Sequence, residues 1–368
     1  MTLAKESIDY IISFLLYGNE EAAKHVHLSA PLEWDALHYP TDITSTAIEL
    51  RDGEAYVSPD LIYNTFFYIS RAEELLNPQR DEHGRFLAKY SILGESNRLH
   101  IPQVDEYARM LMKSLDIPMP PSTFANICLT HDIDTIAHYR HLRGALGGIY
   151  RGEWKQVLAS WKNIGNDPAF TFPWLISQDA QVKDAEIIYF VKDTPGWGFD
   201  YPQYNLRGRD WHYTRNMLYG SNALIGLHSS YYGHIFNSVG YTLHRSHYLC
   251  CPIPQLRRLA KAGITDDYTM GFPDQAGFRL QTTRPVRWID PETGELSSLT
   301  LHPLTIMDCT LSAPHYMNLN EDEAYFEAER LIEKVRQCHG ELVLLWHNTS
   351  ICKETYHKSL YPKILSLL

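Results

Sequence analysis

The sequence contains no apolar run approaching the roughly 18 residues that a membrane span needs, which argues against a spanning protein. Its first apolar stretch, Ile8–Tyr17, is interrupted by Asp9, Tyr10 and Ser13. No basic region leads into it and no small-residue cleavage pattern follows, so Met1–Asn19 does not read as a secretory signal. Paired CxxC motifs are also missing. Cys128, Cys250, Cys251, Cys309, Cys338 and Cys352 are scattered among apolar neighbours, as expected of reduced, buried thiols in a cytoplasmic protein. Positive charge is scarce as well. Lys and Arg number 33 against 44 Asp and Glu, a net charge of −11, whereas a phosphate backbone requires a basic face. The short basic clusters Arg140–Arg143 and Arg257–Lys261 read as solvated helix faces. The expectation is a cytoplasmic chain with neither a nucleic-acid nor a membrane partner, its oligomeric state undetermined.

Aromatic residues, by contrast, are plentiful. With 24 Tyr and 8 Trp, rings are available to stack on a sugar, although most of them, and any single ring taken alone, are expected to fill the core. A length of 368 residues allows one large domain, or a catalytic domain with a smaller companion.

Two patterns divide the chain. Up to residue 121, helix-like segments (Ser7–Leu16, Glu20–His25, Val104–Leu115) flank a strand-like Ala47–Val57 and an amphipathic Asp60–Leu76. Asp81–Phe86 reads as a turn rich in hydrogen-bonding groups. The run Ile117-Pro-Met-Pro-Pro-Ser122 breaks any regular element and serves as a linker. From 122 to 368, short apolar runs alternate with helical stretches. The runs are Ala125–Thr130, Ala185–Val191, Ala223–Leu227, Gly263–Tyr268, Leu299–Met307 and Leu342–Trp346. Such alternation predicts a mainly parallel sheet, open or closed into a barrel, with reactive groups just past the C-terminal strand ends.

Those strand ends carry chemistry. After the first run, Leu129-Thr-His-Asp-Ile-Asp134 sets Asp132 and Asp134 on one side of an extended segment and Ile133 on the other. Two neighbouring carboxylates repel unless a cation or strong donor compensates, although Asp pairs also serve as ordinary caps and turns. His228 follows the third run, and Leu243–Tyr248, if extended, puts Arg245 and His247 together. His347 follows the last run. A lone His is more often a satisfied core residue. Four strand ends bearing Asp/Asp, His, Arg/His and His are harder to explain by packing alone, and one carboxylate with two imidazoles matches an open catalytic zinc site.

Taken in order, these motifs resemble the polysaccharide deacetylases with a NodB-homology domain, in particular the bacterial branch whose first motif is His-Asp-x-Asp. The resemblance covers roughly Phe124 to Ser350 and extends to Asp167–Leu175 and Ala262–Phe278. It implies an α/β fold: a distorted (β/α) barrel over 122–368 with a smaller N-terminal α/β domain over 1–121. It further implies one divalent metal ion, zinc by default, with cobalt, nickel or iron also compatible with His/Asp ligation. Asp132 matches the family's base, Asp134 and His228 two metal ligands, Arg245 the arginine that orients the base, and His347 the general acid.

The chain departs from the family twice. Ile133 separates aspartates that are usually adjacent, and Tyr232 stands where a second metal-binding His is expected. His247 is the preferred replacement ligand, with His234 as competitor. Asp308 is the first choice to keep His347 charged. Asp274 is the second, unless it is simply bonded to Arg279. The activity implied is hydrolysis of a C–N amide bond in an N-acetylated sugar or glycan precursor. A non-sugar amide substrate, or a non-catalytic metal- or carbohydrate-binding module, are the alternatives. The segment His138–Pro168 is expected to shape substrate choice.

Overall fold

A computed structural model describes residues 3–32, 36–40, 47–193, 200, 204–230, 240–353 and 355–368. The N-terminal segment holds a small sheet of β1 (Val26–Leu28), β2 (Ile48–Arg51) and β3 (Glu54–Val57), in the order β1-β3-β2. The strand-like stretch at Ala47–Val57 is therefore a hairpin. Asp52 and Gly53 at its turn have φ of 53° and 85°, the two left-handed positions that an Asp-Gly turn supplies.

The amphipathic stretch expected over Asp60–Leu76 is two helices, Pro59–Ile69 and Glu73–Leu76. Ser58 caps the first, which is buried on every side from Leu61 to Ile69 rather than along one stripe. The break falls at Arg71, whose φ of 65° turns its guanidinium back onto Glu74.

The larger part is a closed barrel. Its strands are β4 (Asn126–Ile133), β5 (Glu186–Val191), β6 (Leu224–Ser229), β7 (Leu243–Ser246), β8 (Asp266–Met270), β10 (Leu296–Met307) and β11 (Glu341–Leu345). Each pairs in parallel with the next, and β11 returns to β4, so seven strands complete the ring. An eighth strand, β9 (Val286–Ile289), runs antiparallel on the outer edge of β10. All six apolar runs lie in barrel strands. The seventh, β7, has the sequence Leu-His-Arg-Ser, polar on both faces, so no hydrophobic run marks it.

Strand alternation separates two cores. Cys128, Ile188, Phe190, Leu304, Val343 and Leu345 fill the lumen, whereas Leu129, Ile133, Tyr189, Val191 and Leu344 pack outward against helices. Gly226 is required inside the ring, because a Cβ there would lie 2.6 Å from the Phe190 ring.

The N-terminal segment shares one continuous core with β8, β9 and β10 across the Pro-rich junction, through residues such as Phe66, Trp288 and Leu301. Buried charges bind the two parts further. Glu74 contacts Arg71 and Arg279. Asp105 accepts hydrogen bonds from Thr282 Oγ1, Thr283 N and Oγ1, and Arg284 Nε.

Replacing Asp105 by Ala strands the Arg284 guanidinium and the backbone N–H of Thr283 in this seam. Urea unfolding should show a loss of roughly 3–5 kcal/mol, and a loss below about 1 kcal/mol, the scale of an exposed ion pair, would contradict the role given to the seam.

Candidate active site

Alternation in β4 sends Cys128, Thr130 and Asp132 toward the lumen while Leu129 and Ile133 join the outer core. Asp134 lies just beyond the strand, and Asp132 and Asp134 both approach one imidazole, that of His228. Parallel register sets His228 of β6 opposite Arg245 of β7. On β11, lumen-facing Val343 and Leu345 are followed by His347 at the strand end.

Asp132 is held from inside the barrel. Arg245 Nη1 donates to Asp132 Oδ1 at 3.1 Å and to Thr130 Oγ1 at 2.8 Å, and its Nε donates to the carbonyl of Tyr268. The guanidinium is fully buried, with its carbon 4.6 Å from the centre of the Phe190 ring. Burial alone would raise the Asp132 pKa. The cationic Arg245 and His347 beside it bring it below its ordinary value, so the carboxylate is ionised.

His347 is fixed by Asp308, the first residue past β10. Asp308 Oδ1 lies 2.7 Å from His347 Nδ1, and Oδ2 accepts the His347 backbone N–H at 2.7 Å. Burial opposes a charge on His347, but the Asp308 carboxylate outweighs it and holds the imidazole protonated well above its ordinary range. His347 Nε2 stands 3.9 Å from Asp132 Oδ2, too far for a direct hydrogen bond. Asp274 is elsewhere, accepting the backbone N–H groups of Ala88 and Lys89. Arg279, its expected alternative partner, pairs with Glu74 instead.

Asp134, His228 and His247 bring one ligand atom each within 4.8 Å of one another. His228 Nδ1 is 3.0 Å from the carbonyl of Arg245, which fixes the proton on that nitrogen, and burial pushes the ring's pKa down to about 3. Its Nε2 is therefore a bare lone pair, buried and without a hydrogen bond. His247 Nδ1 meets Asp200 Oδ1 at 2.5 Å, so its Nε2 likewise points at Asp134, 3.3 Å away. A carboxylate or carbonyl behind each imidazole is the arrangement that orients metal-binding histidines. Asp134 Oδ1 is also buried and lacks an aligned hydrogen bond. Burial favours a neutral His247, but Asp134 and Asp200 raise its pKa above the ordinary value, so a cation bound there would displace a proton. In donor type and convergence the three atoms fit a divalent cation. His234 and Tyr232 lie outside the described residues.

Two groups at this site were not anticipated. Lys192, only 4% exposed, places Nζ 2.9 Å from Asp134 Oδ1 and 3.1 Å from His247 Nε2. It directly follows the run Ala185–Val191, so the strand-end rule that marks His228 and His347 marks it too. Asp200, bonded to His247 and Ser230, follows no strand and carries no such signal. The turn at Asp81–Phe86 also reaches this region. His83 stacks on Tyr248, and Arg85 donates to the Tyr248 carbonyl and the Tyr316 hydroxyl.

A sequence family of unknown function, DUF7033, matches residues 6–120, short of the barrel. No curated protein matches the chain. Among solved structures, the chain is similar to one from Mycobacterium smegmatis described as a "putative polysaccharide deacetylase". The two are 14% identical with a TM-score of 0.43, over 68% of this chain and 86% of that one.

A cation bound by Asp134 and His247 would compete with the Lys192 ammonium for the same two atoms. Lys192→Met should therefore bind zinc about tenfold tighter or more in a competition titration, the loss of one nearby like charge. Equal or weaker binding would show that Lys192 does not compete for the site.

Proposed function

We propose that this chain is a metal-dependent hydrolase of a C–N amide bond, removing the acetyl group from an N-acetylated sugar or glycan precursor. The observation that carries the proposal is the pairing of two polarised groups across the ligand trio. Asp132 is ionised and pinned by Arg245, and His347 is protonated and pinned by Asp308. Metal binding alone requires neither Arg245 nor His347.

Asp134, His228 and His247 would hold the ion, with Asp200 orienting His247. When bound, a divalent ion supplies Lewis acidity, easing deprotonation of a water and polarising the amide carbonyl. Asp132 accepts the proton of the attacking water, and Arg245 keeps Asp132 from rotating away. As the C–N bond breaks, His347 gives its Nε2 proton to the departing nitrogen, which is too basic to leave unprotonated. Water is consumed, and a carboxylic acid and an amine are formed. Asp308 stabilises the imidazolium before transfer and fixes which nitrogen faces the substrate. In this proposal residues 122–368 form the catalytic part, and 1–121 an accessory part that sets His83 and Arg85 beside Tyr248.

Lys192 favours a second reading, a non-catalytic module in which its ammonium is the permanent counter-ion of Asp134. Turnover separates the two. With N-acetylated sugars and acetate release as the readout, His347→Ala should lower turnover by about 10²–10⁴-fold and keep its metal, whereas His228→Ala should lose both. If both variants keep metal and lose activity equally, the roles are wrong, and a wild type that releases no acetate from any N-acetylated sugar removes the deacetylase.

The pH profile tests the acid. A raised His347 pKa means that activity is retained below that value and lost as the pH rises through it. Asp308→Asn removes the anion responsible, so the alkaline limb should move to lower pH by roughly one unit or more. An unmoved limb would exclude His347 as the proton donor.

A further inference from the structure

Fifteen large hydrophobic side chains are exposed among the described residues, and seven of them fall between positions 142 and 161. This stretch is a helical hairpin, Leu142–Tyr150 and Trp154–Lys162, inserted after β4. On the first helix Leu142, Leu146, Ile149 and Tyr150 recur at helical spacing, with Leu142 76% and Tyr150 93% exposed. On the second, Trp154, Leu158 and Trp161 do the same.

These stripes are not an unpacked core. The hairpin already has an inner face, where Tyr139, Ala145 and Val157 form a cluster of their own. Gly148 lies so close to Val157 that a Cβ would sit 2.7 Å from its methyl group. Trp161 donates its indole N–H to the Tyr139 carbonyl, and Arg140 pairs with Asp210 to tie the hairpin to the barrel. A hairpin already packed on its inner face thus keeps two apolar stripes in water, which soluble surfaces rarely do without a partner.

The hairpin's charge distinguishes the partner. Residues 142–162 contain Arg143, Arg151, Lys155 and Lys162 against Glu153, so +4 and −1 leave +3 in a chain whose total is −11. Leu, Ile, Trp and Tyr on one side with Lys and Arg beside them is the composition of a helix lying in the interface of an anionic bilayer. A two-fold contact with a second copy would instead oppose +3 to +3.

We propose that the hairpin 142–162 seats the protein on an anionic lipid surface. This proposal departs from the expectation of no membrane partner and from the solvated-face reading of Arg143; Arg140 is held by Asp210. Lipid binding of this kind requires neither metal nor turnover, so it stands or falls apart from the catalytic proposal.

The test is vesicle flotation of the full chain, with phosphatidylcholine alone or mixed with phosphatidylglycerol. Wild type should bind the anionic vesicles about tenfold more or better, lose that binding as salt is raised, and lose it in Leu146→Glu/Leu158→Glu. Both positions are more than half exposed, so the double variant should unfold at the wild-type temperature. Failure to float with either vesicle, or flotation that the variant leaves unchanged, overturns the proposal. A wild-type dimer in light scattering that the variant dissociates, without vesicle binding, would assign the face to a second copy and overturns it equally.

Discussion

A carboxylate removed from water must meet compensating charge or become neutral, and the strand-end side of this barrel gathers two buried carboxylates and a third that is partly buried. Asp132, Asp134 and Asp308 each have their own answer: Arg245, Lys192 with His247, and His347. Because each partner lies on a different strand or strand end, the pairing requires the ring to be closed and its register kept. A shift of one residue in β7 would turn Arg245 out of the lumen and leave Asp132 uncompensated. Gly226 serves the same requirement by leaving room for Phe190, on which the Arg245 guanidinium rests.

The arrangement divides labour among groups of similar chemistry. His228 is a buried and His347 a partly buried imidazole, yet one is pushed toward neutrality and the other toward charge. The difference lies behind the ring: His228 faces a backbone carbonyl, His347 a carboxylate. Pairs of titratable groups driven apart in this way are what acid–base chemistry near neutral pH requires. His247, backed by Asp200 and facing Asp134 and Lys192, lies between two anions and a cation.

Much of this was legible in the sequence, for definable reasons. Period-two alternation fixed the sides taken by Asp132, Ile133 and Asp134, and strand ends marked His228 and His347. Lys192 was equally marked, but a lysine after an apolar run reads as a solubilising end rather than a buried charge. β7 escaped because a strand with polar residues on both faces has no hydrophobic period, and Asp200 because loop position has no pattern. The Asp52-Gly53 turn was available as a hairpin signal inside what read as one strand-like stretch. The break at Arg71 was not legible, since it depends on Glu74 and Arg279 meeting across the seam. The N-terminal segment likewise reads from sequence as a companion unit, whereas its core runs into β8, β9 and β10.

The central claim is that Asp134, His228 and His247 converge on one divalent ion beside Asp132. Crystals grown with zinc and measured on both sides of its absorption edge test it most directly. The account predicts a single anomalous peak about 2.0–2.2 Å from Asp134 Oδ1 and the two Nε2 atoms, with Lys192 Nζ displaced from them. Crystals without a peak there, and with Lys192 still seated between Asp134 and His247, would contradict it.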